Sequence, residues 1–233
     1  MPKNILNIVV WDLETSGLSS ETSEAIQVAG KAYDGVTLEP IPASRGGEFV
    51  SMMRPLYPER LDSPGAAKAL ECNRKTKAEI LAAPDQGIVW NKFLKWVANF
   101  KNTKAPFGGN PIAGGKNIRN FDSKFMDALN LLHSPKKEKT RVFSDRYTLD
   151  LEDFLFHWFC HDDTIPNVKM DTIREYFGMD TTNSHDALCD CQQTGDLIMK
   201  FLRLYRSLAK KTTPAGTPFI PFKNSFAPKV AAV

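Results

Sequence analysis

The run Ile8-Val9-Val10-Trp11-Asp12-Leu13-Glu14-Thr15-Ser16-Gly17-Leu18 constrains this chain more than any other stretch. Its β-branched and aromatic residues predict a central strand over residues 5–12. That strand ends at two carboxylates one residue apart. Residues i and i+2 of an extended strand share a face, so Asp12 and Glu14 project together beside a Thr-Ser-Gly turn. Two like charges so close are costly unless a cation neutralises them. Hard divalent ions take carboxylate oxygens and keep water or substrate phosphate as further ligands. The strand and turn are therefore a candidate phosphoryl-transfer site, set against the plainer reading of a chance acid pair on an exposed strand.

Two later segments bear on that choice. Asn117-Ile118-Arg119-Asn120-Phe121-Asp122 leads into a predicted helix, and an acid at a helix head suits the macrodipole, so Asp122 alone has a structural explanation. His185-Asp186-Ala187-Leu188-Cys189-Asp190 opens a long helical pattern. With His185 on the preceding loop and Asp190 in the second turn, both reach one pocket. Taken singly, His185 reads as a solvent-exposed residue before the helix and Asp190 as a surface acid.

Together the three segments resemble the DEDDh branch of the DEDD-type 3′–5′ exonucleases, the DnaQ-like group that includes proofreading subunits, oligoribonuclease and phage exonucleases. Asp12 through Leu18 matches the first motif, D-x-E-T-T-G-L. Asn117 through Asp122 matches the second, N-x-x-x-F-D, and His185 through Asp190 the third, H-x-A-x-x-D. The resemblance spans roughly residues 5–205. It departs from many members at Lys116, where they carry His, and Asn117 lies one residue farther from the Asp than in proofreading subunits. That spacing is closer to the exonuclease domains of large polymerases.

The resemblance implies a ribonuclease-H-like α/β fold, a mixed five-stranded sheet flanked by helices. It implies two Mg²⁺ or Mn²⁺ ions, with Asp12, Glu14 and Asp190 holding the one that activates water. Asp12 bridges to the second ion, and Asp122 supports that ion directly or through water. His185 takes the proton from the attacking water, and the product is a 5′-mononucleotide from the 3′ end. Thr15, Ser16, Gly17 and Leu18 would contact the terminal nucleotide, with Leu18 as a wedge against its base. Ala69, Cys72 and Asn73 would form a second base-contacting segment, and Asn117 is a further candidate contact. The expected partner is the 3′ end of single-stranded nucleic acid, DNA ahead of RNA because the chain is larger than a typical oligoribonuclease. RNA or short oligonucleotides are the alternative, and a silent binding module a third. The third is disfavoured because it would need none of these charges. A replication or repair partner is compatible with the first.

Composition sets outer bounds. The 233 residues fit one domain with a sizeable core. A net charge of +3 is compatible with a polyanionic substrate without demanding one. Two basic runs, one at Lys136, Lys137, Lys139 and Arg141 and the other at Lys200, Arg203, Arg206, Lys210 and Lys211, read first as solvated faces. The 4 cysteines lack CxxC spacing, which argues against structural zinc and for reduced thiols in a cytoplasmic protein. No leader or run of 18 apolar residues is present, so membrane association is not expected.

Pattern and punctuation predict further strands at 25–33 and 47–54 in an antiparallel meander, with a turn at Asp34-Gly35. They predict helices at 65–72 (capped by Ser63), 76–81, 86–100, 121–132, 150–160, 169–177 and 185–209, and a strand at 110–116. Trp90 and Trp96 read as core, and His157 as packed against neighbours. The exonuclease unit is expected over 1–211. Residues 212–233 form a tail whose prolines preclude helix.

Overall fold

The computed structural model describes residues 5–105, 109–133, 142–181 and 186–210. The first strand, β1 (Ile8–Thr15), pairs antiparallel with β2 (Ala25–Tyr33), which pairs antiparallel with β3 (Glu48–Met52). On its other side β1 runs parallel to β4 (Ile112–Gly115), and β4 to β5 (Thr148–Asp150). The order β3-β2-β1-β4-β5 is the mixed five-stranded sheet expected, with β1 at its centre.

Strand alternation assigns the two faces. Val9, Trp11 and Leu13 enter one core with Val89, Trp90, Phe93 and Val97 of helix α3 (Gln86–Ala98) and Phe125 and Leu129 of α4 (Asp122–His133). Ile8 and Val10 enter the other, with Leu151 and Leu155 of α5 (Leu151–Phe159), Ile173 of α6 (Met170–Phe177), and Leu197 and Ile198 of α7 (Ala187–Lys210). Trp90 donates its indole N–H to Asn130 Oδ1 at 2.9 Å, tying α3 to α4. Trp90 and Trp96 are core residues as expected.

Caps and stops follow the local chemistry. Ser63 caps α1 (Pro64–Cys72), with Pro64 at its first position. Thr76 and Glu79 form a capping box at the start of α2 (Lys77–Ala82). Gly178, at φ 62°, ends α6. Gly195 lets α7 approach β2 closely, because a Cβ there would come within 2.2 Å of the Tyr33 hydroxyl.

Several expectations need correction. β1 runs through Thr15, so Asp12 and Glu14 lie within the strand and not at its end. Pairing with β2 persists to Glu14 opposite Gln27 before a bulge at Thr15. The helix carrying Asp190 starts at Ala187, so Asp190 sits in its first turn, not its second. His157 is exposed, because its helix buries Leu151, Leu155 and Phe159 on the opposite stripe. The short strand β5 went unread, as did the 3-10 turns at Ala43–Arg45 and Pro58–Asp62. Most of the loop with the first basic run, and the tail 212–233, lie outside the described residues.

Candidate active site

The two-residue period that sends Ile8 and Val10 toward α7 sends Asp12 and Glu14 the same way. β4 pairs with β1 only from Ile8 to Val10. Beyond that point β1 loses its parallel neighbour, and a side chain takes over the backbone. The Leu13 N–H donates to Asp122 Oδ1 at 3.1 Å. Asp122, 2% exposed, is the first residue of α4. Asp190 arrives on the first turn of α7. Three elements distant in sequence thus deliver four carboxylates to the overhanging half of one strand.

Their electrostatics record the crowding. Burial, with the Asp190 charge second, pushes Asp12 up to about 7 from its ordinary 3.8. Burial, then Asp12 and Asp190, pushes Glu14 up to about 8, and Lys75 only partly opposes this. Asp122 is raised well above the usual range, by burial first and by Asp12 next. Such a group of acids is short of positive charge. The donors fit a hard divalent cation, since all four are oxygen ligands. The nearby Cys191 thiol is held protonated by burial and by the same carboxylates. Among the described residues no three such side chains close into a finished cation cage. An ion that keeps water and phosphate oxygens does not require one.

Beside the carboxylates opens a cleft of about 720 Å³, lined by Glu14 through Ser19 on one side and by Ser63, Gly65, Ala66, Lys68, Ala69, Cys72 and Asn73 on the other, with Phe121 at its edge. Its floor is hydrogen-bonded backbone. Thr15 Oγ1 donates to the Gly17 carbonyl at 2.7 Å, and Asn73 Nδ2 to the Thr15 carbonyl at 3.0 Å. Ser16 Oγ accepts the Glu24 N–H at 2.9 Å. Leu18 is 89% exposed at the mouth, an apolar side chain with nothing packed on it.

The sequence-predicted residues thus divide. Asp12, Glu14, Asp122 and Asp190 come together, and Thr15, Ser16, Gly17, Leu18 and Asn73 line the adjoining cleft. Asn117 is not among the cleft-lining residues. It occupies a left-handed turn at φ 54°, where its N–H donates to Asp150 Oδ1 at 2.8 Å. His185 lies outside the described residues. Of the second basic run, Arg203 donates to the Leu38 carbonyl at 2.7 Å, and Arg206 to the carbonyls of Val36 at 2.7 Å and Gly35 at 2.8 Å. Those two are clamps on the β2 turn and not a free basic face.

Two residues escaped sequence reasoning. Asp150 caps α5 through the Glu152 N–H and also accepts the Asn117 and Arg119 N–H groups, so it shapes the turn that leads to Asp122. Arg174, 1% exposed, contacts Asp190 Oδ1 through Nη2 at 2.5 Å. A signal for it existed. Met170 and Ile173 share with Arg174 the helical stripe that faces the core, and a charged residue there requires a partner.

No protein-family model matches the chain. Over 197 residues, 84% of this chain, it is 27% identical to DNA polymerase III PolC-type of Bacillus subtilis (strain 168), spanning 11% of that protein. Among solved structures it is similar to E. coli exonuclease I in complex with a dT13 oligonucleotide, at TM-score 0.65 and 16% identity over 87% of this chain and 43% of that one. A moderately thermophilic exonuclease I from Methylocaldum szegediense gives TM-score 0.63 at 15% identity, over 88% and 45%. A zinc-bound form of the E. coli exonuclease I–ssDNA complex gives 0.65 at 15% identity, over 88% and 43%. The chain therefore spans less than half of these solved neighbours and about a tenth of the polymerase. The ribonuclease-H-like fold expected from the motifs is the fold it has.

Proposed function

We propose that this chain is a metal-dependent 3′–5′ exonuclease that releases 5′-mononucleotides from single-stranded DNA. The convergence of Asp12, Glu14, Asp122 and Asp190 from three elements, beside a cleft wide enough for a nucleotide, carries this reading. Two Mg²⁺ or Mn²⁺ ions held by these four carboxylates would polarise the scissile phosphate and stabilise charge on the attacking and leaving oxygens. Asp12 is central to the set because it lies between the influence of Asp190 and of Asp122. His185 is assigned from the third motif as acceptor of the water proton, a role its near-neutral intrinsic pKa suits.

The cleft performs the binding. Backbone of the Thr15–Leu18 turn faces the terminal sugar, and Leu18 wedges its base. Asn73 acts by fixing the Thr15 carbonyl. Contacts of this kind read a chain end and a π-face, so sequence preference is slight. DNA is favoured over RNA because the solved neighbours hold DNA oligonucleotides and the sequence relative is a DNA polymerase. That polymerase relative also supports a partner in replication or repair. We assign the catalytic unit to 1–211, with 212–233 as a separate tail.

The test is digestion of matched 3′-labelled and 5′-labelled DNA and RNA oligonucleotides with Mg²⁺, Mn²⁺ or EDTA. The expected result is metal-dependent release of mononucleotide from the 3′ end of DNA. Activity that persists in EDTA, or that starts at the 5′ end, refutes the assignment.

A further inference from the structure

Arg174 is the most deeply buried cation among the described residues, and each of its three guanidinium nitrogens has a partner. Nε donates to Gln193 Oε1 at 2.7 Å, Nη1 to Asp171 Oδ1 at 2.9 Å and Nη2 to Asp190 Oδ1 at 2.5 Å. Asp171 belongs to the first turn of α6, whereas Asp190 and Gln193 belong to α7. Gln193 is itself anchored, since its Nε2 donates to the Asp180 carbonyl at 2.7 Å. The guanidinium is thus a planar fork held on both helices, in a site where an unpaired charge would be prohibitively costly.

Among the described residues, Asp190 is the carboxylate of the candidate active site that is paired to a buried cation. Pairing to metal and pairing to guanidinium are alternatives only if the carboxylate must choose between them. A carboxylate that offers one oxygen to a fixed donor is oriented by it, and groups that orient ligands in this way sustain metal affinity. We infer that Arg174 is a positioning residue for the cation site: it fixes the direction in which Asp190 faces Asp12 and Glu14, and so sets how tightly the site binds a divalent ion. This inference rests on the exonuclease reading, and specifically on its cation site.

Three roles predict different signs. Were Arg174 merely a nearby positive charge, its removal would relieve repulsion and tighten cation binding. As a helix clamp alone, its loss would lower thermal stability and leave the affinity of the folded protein unchanged. As a positioning residue, its loss weakens binding although the site has become more negative. The experiment is calorimetric titration of the full chain with Mn²⁺, on wild type, Asp12→Asn and Arg174→Met, with folding followed by circular dichroism. Arg174→Met is expected to bind Mn²⁺ about 10–100-fold more weakly. On a single-stranded DNA oligonucleotide its kcat falls while KM stays within about twofold, because the cleft is untouched.

Equal or tighter Mn²⁺ binding by folded Arg174→Met overturns the inference and leaves the cation site standing. Wild type that binds no Mn²⁺, or Asp12→Asn that binds as well as wild type, overturns the cation site and this inference with it. Should Arg174→Met fail to fold, Arg174→Lys is titrated in its place. It keeps the charge but cannot hold Asp171, Asp190 and Gln193 together. A loss of about tenfold supports positioning, and wild-type affinity overturns it.

Discussion

Asp12 is the residue at which stability and chemistry oppose each other. Its half-buried carboxyl in β1 is pushed up to about 7, and that of Glu14 to about 8, against ordinary values of 3.8 and 4.5. Both folded-state values exceed the unfolded ones. The folded chain therefore keeps protons that the unfolded chain has already released, and stability drains away as pH rises from about 4 to about 8. Without divalent cations, the melting temperature should accordingly fall between pH 5 and pH 9, and Mn²⁺ should flatten the slope by holding the carboxylates ionised. A melting temperature that rises over this range would contradict the burial described. Asp12→Asn should melt higher than wild type at pH 8 without metal, because an amide has no charge to desolvate. It should also lose oligonucleotide hydrolysis altogether. His185→Ala separates proton transfer from ligation. A drop of about 10²–10⁴-fold in rate is expected for a lost general base, with Mn²⁺ stoichiometry by calorimetry unchanged. Lost metal binding would instead make His185 part of the cation site.

At the scale of elements, the turn before α4 depends on a side chain at the end of β5, the residue that caps α5. Asp150 accepts three N–H groups, those of Asn117, Arg119 and Glu152. Asp150→Ala should destabilise the fold by about 2–4 kcal/mol, a lost cap plus stranded amides. The residual activity of the folded fraction should also fall, since Asp122 follows that turn. Denaturant unfolding and specific activity measured together check both halves. This dependence also marks where the sequence was legible and where it was not. Strand alternation correctly put Asp12 and Glu14 on one face, and helix patterns found α1 to α7 within a few residues, because local periodicity and caps decide both. β5 is only Thr148–Asp150 and has no alternation to read. The extent of β1 was misjudged because pairing with β2, a tertiary event, carries the strand past two charges that local propensity would place outside it. Arg174 was hidden for a related reason. Its meaning lies in Asp190 and Gln193 on another helix, and a single helical stripe records only that something must pair with it.

For the molecule as a whole, the cleft and the carboxylates define an entrance, with Leu18 exposed beside it. On the proposed function, it is a single-stranded 3′ end that enters there. A 5′-labelled single strand should therefore shorten as a ladder, and a blocked 3′ terminus should protect it. Internal cuts at the earliest times on a 3′-blocked strand would mean that the cleft admits mid-strand backbone. The described residues include no helix long and apolar enough to cross a membrane. Beneath the entrance, α7 is gripped near both ends. Asp190 and Gln193 meet Arg174 at one, and Arg203 and Arg206 grip the Gly35–Leu38 carbonyls at the other. The helix is therefore a gauge of fixed length. Each residue removed between the grips would turn one end about 100° against the other and shorten it by about 1.5 Å, so either the carboxylate or the arginines would miss their seats. Point changes on the outer stripe of α7 leave this phase intact. Insertions and deletions within it do not, and a chain diverging under selection for this site would accept the former and lose the latter.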